Sequence, residues 1–185
     1  DRFFFFHRER LWNAAEGVWM GWERKRGKIE EFNRRLRGAR DTSYAVETGD
    51  MRVLADVRYC LTLDTDTRLP REAVGTLVGI LEHPLNRPRI DPGEGRVVEG
   101  YGILQPRVSV AMTSASSSRF ARLYAGHTGV DPYTTAVSDV YQDLFHEGIF
   151  TGKGLYDVDA FMSALEGRVP ENAVLSHDLF EGLFA

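Results

Sequence analysis

The chain has 185 residues, enough for one domain with a real core and too few for two comfortable ones. Hydrophobic residues make up 43% and charged residues 27%, a globular balance that excludes disorder. The 27 acidic residues outnumber the 23 basic ones for a net charge of −4, which excludes a globally basic nucleic-acid binder.

In chain order, Phe3 to Phe6 is too short for a membrane span and is expected as a buried strand or docking segment. Residues 8–22 hold Trp12, Trp19 and Trp22 with no clean period. Ile29, Phe32 and Leu36 predict a helix over 27–37, stopped by Gly38. VLADVRYCLTL, residues 53–63, predicts a strand that ends sharply at Asp64. Over 53–66 we expect a central strand with Asp64 and Asp66 at its C-terminal mouth. Cys60, the single cysteine, excludes an intramolecular disulfide and is expected to be buried in that strand. Pro70 suits a first helical turn, and Val74, Leu77, Val78 and Leu81 form an amphipathic stripe after it.

Residues 83–96, with three prolines and two glycines, are expected as a surface loop. Residues 97–110 form a second predicted strand, broken near Pro106. Helices follow around Phe120 to Tyr124, over 134–145, and over Val158, Phe161, Met162 and Leu165, closed by Gly167 and Pro170. Ser176 is expected to cap a last helix. Strands and amphipathic helices in this order imply an α/β fold. No apolar run approaches the ~18 residues of a bilayer span and no signal peptide is visible, so the chain is expected to be soluble. Its start at DRFFFF and end at EGLFA suggest a piece of something larger.

Four segments could carry chemistry. In LTLDTDT an apolar strand delivers Asp64 and Asp66 where open α/β sheets place ligands. Two carboxylates at i and i+2 can share Mg²⁺ or Mn²⁺, which complete their shells with substrate phosphates. Such an ion neutralises a nucleoside diphosphate as it leaves a sugar. A turn that merely caps the strand accounts for the same residues. Haloacid-dehalogenase-type phosphatases also place two aspartates after an apolar strand, but Arg68 breaks their pattern at its fifth position. In ERKRGKIEEF, Arg24, Lys25, Arg26 and Lys28 surround Gly27 just before the predicted helix. They suit either a phosphate site or a solvated basic face. FTGKGLYDVDAF lacks the spacing and the final Ser or Thr of a Walker A loop. It leaves a glycine-flanked Lys153 entering a helix at Asp157. In LSHDLFEG, Asp178 lies in the first turn of a helix, as a general base or a second capping acid, with His177 beside it.

Taken together, WMGWERKRGKIEEFNRRLRG, TLDTDTRLPREA, HPLNRP, GYGILQPRVSV, DPYTTAVSDVYQDLF, GKGLYDVDAF and LSHDLFEG resemble the transferase region of cyclic β-1,2-glucan synthases. These are family-two-type glycosyltransferases of the GT-A fold. The resemblance covers the whole chain. It implies a GT-A-like mixed sheet flanked by helices, as a fragment lacking the first nucleotide-binding strand and the C-terminal part. It further implies UDP-glucose as donor, inverting transfer and a growing β-1,2-glucan as acceptor. On it, Asp64 and Asp66 match the metal and diphosphate pair. Lys25, Gly27 and Lys28 stand where related synthases have a Lys-x-Gly-Asn donor element. Asp178 matches the aspartate base of a Thr-Glu-Asp motif, whose Glu is replaced here by His177. Gly152, Lys153 and Gly154 fall at a loop near the acceptor. The resemblance also implies a parent protein in the bacterial cytoplasmic membrane, with this domain on the cytoplasmic side and further carbohydrate-active domains.

Overall fold

A computed structural model describes residues 2–106, 111, 115–124, 144–145, 150, 152–173 and 178–185, without the side chains of Tyr124, Asp178 and Leu179. The described strands are β1 (Phe5–Arg8), β2 (Leu11–Asn13), β3 (Val18–Met20), β4 (Tyr44–Thr48), β5 (Tyr59–Thr62), β6 (Arg89–Ile90), β7 (Val97–Glu99), β8 (Ile103–Leu104) and β9 (Gly154–Asp157). The α-helices are α1 (Arg24–Leu36), α2 (Ala73–Glu82), α3 (Arg119–Tyr124), α4 (Val158–Leu165) and α5 (Asp178–Phe184). The class is α/β, as the sequence predicts. Every described strand pair is antiparallel.

The site depends on the three-stranded sheet β5-β9-β8. All four residues of β9 are buried, and side chains of successive strand residues point to opposite faces. On one face Tyr156, Cys60 and Ile103 join Ile29 and Leu36 of α1 and Phe161 of α4. On the other, Leu155, Tyr59, Leu61 and Leu104 pack with Leu77 and Leu81 of α2. The sheet is therefore a layer between helices, each fully buried large apolar side chain contributing about 1.5–3 kcal/mol. The Tyr156 hydroxyl, on its buried ring, donates to Asn33 Oδ1 of α1 at 2.8 Å. This bond satisfies a polar group whose burial would otherwise be costly. Gly154 is required here: a Cβ would sit 2.5 Å from the Leu104 carbonyl oxygen of β8.

The N-terminal strand docks by an ionic clamp. Phe6 of β1 meets Phe32 of α1 edge-on, with ring centroids 5.2 Å apart. Arg8 pairs with Glu31 of α1 at 2.5 Å, and both side chains are at least nine-tenths buried. Glu31 also accepts from the Ser43 backbone N–H and hydroxyl, at 2.7 and 2.8 Å. Phe3 and Phe5 remain exposed, so the buried-strand expectation holds for only one face of β1.

Several expectations are corrected. The strand predicted over 53–63 is formed only at 59–62, because Met51–Leu54 is a 3-10 turn capped by Asp50, whose carboxylate accepts from the Arg52 N–H. Such local bonding competes with strand pairing, and Val53 is exposed. Among the described residues β5 is an edge and β9 the centre. Residues 83–96 are not plain loop, since β6 pairs with β7 and Arg89 grips Glu99 through two hydrogen bonds of 2.9 and 2.6 Å. The 97–110 strand divides at residues 100–102, β8 ends at Leu104 just before Pro106, and residues 107–110 lie outside the described residues. Pro70 precedes α2 instead of lying in its first turn. The unperiodic stretch 8–22 holds the hairpin β2–β3, in which Trp12 and Trp19 face each other across the ladder, both exposed. The predicted helix 134–145 lies outside the described residues save for Leu144 and Phe145, which are helical, and Ser176 lies outside them too.

Replacing Arg8 with alanine leaves the Glu31 carboxylate buried without its charge partner. The expected loss is about 3–5 kcal/mol of stability, read as a lowered denaturant midpoint. A change below about 1 kcal/mol would show that the clamp is not holding β1.

Candidate functional site

The antiparallel register of β5 and β9 builds the site. Thr62 lies opposite Gly154, so the chain leaves β5 where the segment carrying Lys153 enters β9. Asp64 follows at once and opens a turn in which the Thr67 N–H donates to its carbonyl at 3.0 Å. The Asp64 carboxylate then accepts two cations. Lys153 Nζ is 2.9 Å from Oδ2 and Lys25 Nζ is 3.1 Å from Oδ1. Three residues singled out separately in the sequence thus meet at one strand end.

Lys25 reaches this point because α1 begins abruptly. The helix starts at Arg24, earlier than predicted, so the basic cluster lies within its first turns and not before them. Glu23 and Arg24 both have positive φ, 48° and 52°, a conformation that costs a non-glycine residue energy and needs outside support. Support comes from three sides. Arg8 Nη2 donates to the Trp22 carbonyl, and its Nη1 donates to that of Arg24 at 3.0 Å. The Glu23 carboxylate accepts from the Asn172 N–H at 2.7 Å and pairs with Arg26 at 3.0 Å. Finally, Gly27 is buried against Trp22, whose carbonyl oxygen would lie only 2.0 Å from a Cβ at position 27. The role of Gly27 is therefore close backbone packing that fixes where Lys25 emerges. Sequence reasoning missed Arg8 and Trp22 as positioning residues; the only hint was a glycine at the predicted helix start.

The electrostatics follow from two ammonium groups on one carboxylate. The Lys153 hydrogen bond, with a smaller contribution from Lys25, holds the Asp64 carboxyl below its ordinary value of 3.8 against the opposing effect of partial burial. The trio carries a net charge of +1 and is partly open to solvent, with 38% of the Asp64 side chain exposed. An anion bearing two or more oxygens can draw both lysines at once, as charge-assisted hydrogen bonds to phosphate do. Asp66 is exposed at the third position of the same turn. Carboxylates at 64 and 66 offer the hard oxygen donors that Mg²⁺ or Mn²⁺ prefers, with phosphate oxygens completing the shell. An ion held by Asp64 competes with the two lysines for its oxygens. Among the described residues no cluster of three or more His, Cys, Asp or Glu side chains forms a cation site without such help.

The remaining candidates are placed as follows. Lys28 is exposed on α1, one turn beyond Lys25 and on the same face. Gly152 is buried beside Lys153. Gly154 belongs to β9, a short strand not foreseen from the sequence, and the chain then enters α4 at Asp157 as expected. Asp157 caps α4, its carboxylate accepting from the Asp159 and Ala160 N–H groups. Asp178 is the first residue of α5, while its side chain and His177 lie outside the described residues.

The fold and cluster define an α/β chain with a lysine-bracketed aspartate at a strand end, a site suited to a multiply charged anion. No family model matches it. Along all 185 residues it is 58% identical to part of the cyclic β-(1,2)-glucan synthase NdvB of Rhizobium meliloti (strain 1021), a match covering 100% of this chain and 6% of that protein. This identity supports kinship with cyclic β-(1,2)-glucan synthases, and the chain spans only a small part of the length of that relative. Among the described residues no helix is long and apolar enough to cross a membrane.

The carboxyl of Asp64 should titrate below 3.8 by NMR, and in Lys153→Met it should move back toward that value further than in Lys25→Met. Because its folded pKa is depressed, its contribution to stability is complete above the unfolded value and disappears as pH falls through the folded one. An unchanged titration in Lys153→Met would show that this pair does not form in solution.

Proposed function

We propose that the chain is part of the glucosyltransferase core of a cyclic β-1,2-glucan synthase, one that moves glucose from UDP-glucose to a growing β-1,2-glucan with inversion at the anomeric carbon. The observation that carries this reading is the convergence of Lys25 and Lys153 on Asp64 at the end of β5. Kinship to a protein named as a glucan synthase adds the substrate class. The intact protein is proposed to sit in the bacterial cytoplasmic membrane, with this region facing the nucleotide-sugar pool.

In this mechanism Lys25 and Lys153 leave Asp64 for the donor diphosphate, and Lys28 adds a third positive charge along α1. Asp64 and Asp66 would hold a divalent ion, which supplies Lewis-acid neutralisation of the departing diphosphate. The acceptor 2-hydroxyl oxygen attacks the anomeric carbon, its bond to the diphosphate oxygen breaks, and the hydroxyl proton passes to Asp178. A carboxylate in the first turn of a helix is favoured in its ionised, proton-accepting form. Asp64 has a second role. By keeping the two ammonium groups within 3.1 Å of its oxygens, it gathers them at the strand end before the anion arrives.

The test is transfer from UDP-glucose, with UDP binding measured in parallel, on the full-length protein. Asp178→Asn should keep UDP affinity and lower transfer by about 10²–10⁴-fold, the usual range for loss of acid–base assistance. Asp66→Asn should lower transfer by about 10²-fold, since charge stabilisation by a metal is worth several kcal/mol. The double change Lys25→Met and Lys153→Met should weaken UDP binding by about 10²-fold. Normal UDP affinity in that double variant would remove the donor site from this cluster, and normal turnover in Asp178→Asn would place the base elsewhere.

A further inference from the structure

Each oxygen of the Asp64 carboxylate already carries a positive charge supplied by the chain itself. Lys153 Nζ lies 2.9 Å from Oδ2 and Lys25 Nζ 3.1 Å from Oδ1. The two lysines come from different elements, Lys25 from the first turn of α1 and Lys153 from the segment that leads into β9. Their convergence is the opposite of what a bare divalent cation needs. An ion on either Asp64 oxygen meets an ammonium group in close contact, and like charges repel strongly in a site only partly open to water. Asp66 adds one exposed carboxylate. Among the described residues no further His, Cys, Asp or Glu completes a three-ligand group with the pair. A diphosphate reverses this balance, because it offers both lysines oxygens of higher charge and supplies the hard ligands that a cation lacks here.

We propose that Lys25 and Lys153 form a lock on Asp64, one that keeps a divalent cation off the strand end until a diphosphate draws the two ammonium groups away. The lock rests on the donor reading above, which puts the diphosphate at this cluster. It ties two affinities together: whatever factor the anion adds to cation binding, the cation adds to anion binding. It also reverses the sign of one effect. A carboxylate that only ligates a metal supports the anion through that metal, so without metal its loss brings no gain. Asp64 in the lock competes with the anion for the same two ammonium groups. Removing its charge therefore strengthens anion binding when no metal is present. Asparagine at position 64 keeps a carbonyl oxygen that accepts from one lysine, so the ammonium groups stay near the strand end while the competing charge is gone.

Two titrations of the full-length protein test the lock. In the first, Mn²⁺ is added alone and the unbound ion is followed by electron paramagnetic resonance. The double change Lys25→Met and Lys153→Met should tighten Mn²⁺ binding at least about fivefold, the low end of ordinary coupling between sites. Adding Asp64→Asn to that variant should erase the gain. Lys25→Met alone should give a smaller gain of the same sign, and it decides if the double variant fails to fold. In the second titration, inorganic pyrophosphate and UDP are added separately in the presence of a chelator. Asp64→Asn should bind each at least about fivefold more tightly than the unaltered protein. Mn²⁺ affinity unchanged by the lysine substitutions, or pyrophosphate affinity unchanged or weakened in Asp64→Asn, overturns the lock. Either of those results, with UDP binding still lost on removal of both lysines, leaves the donor reading intact. If Mn²⁺ and pyrophosphate behave as expected while UDP binds neither protein, the lock stands and the donor reading fails.

Discussion

The structure turns on the insertion of β9 between β5 and β8. Because its residues point alternately up and down, two adjacent positions connect the layers: Leu155 to α2, Tyr156 to α1 and α4. Antiparallel pairing also makes the exit of β5 and the entrance of β9 coincide, so Asp64 and Lys153 become neighbours as a consequence of register. A one-residue slip would turn Tyr156 and Leu155 to the wrong faces, separate Gly154 from the backbone it must approach, and carry Lys153 away from Asp64. Core packing and site assembly are thus one constraint.

The second support is the entrance to α1. Two consecutive residues with positive φ, a buried glycine under the Trp22 carbonyl and an arginine reaching from β1 fix the helix start. Arg8 serves both ends of this arrangement, since the same guanidinium pairs with Glu31 in the clamp. Stability and function are coupled through it: what anchors β1 also aims the first turn of α1, and with it Lys25. Another side of α1 lines a cavity between α1, α4 and α5 through Arg26, Glu30 and Asn33. One helix therefore presents a cationic group to the strand-end site and a mixed polar stripe to a cavity beside α4.

The sequence by itself determined the α/β class, the bodies of α1, α2 and α4, the stop of α1 near Gly38, and an apolar strand running into Asp64. Each of these rests on local signals: helical periodicity, an apolar run, a terminating glycine. Local signals misled where a competing local bond prevailed, as at Asp50, whose carboxylate starts a 3-10 turn inside the predicted strand. They were silent where both faces are exposed, as in the Trp12–Trp19 hairpin. Only the tertiary structure decided that β9, not β5, is the middle strand among the described residues, that Lys25 and Lys153 share Asp64, and that the buried Asn33 accepts from Tyr156. The physical reason is distance along the chain. Thr62 and Gly154 are 92 residues apart, and no periodicity spans that interval. Their register is set by which side chains fill the space between the helices, and that choice exists only once the layers have packed.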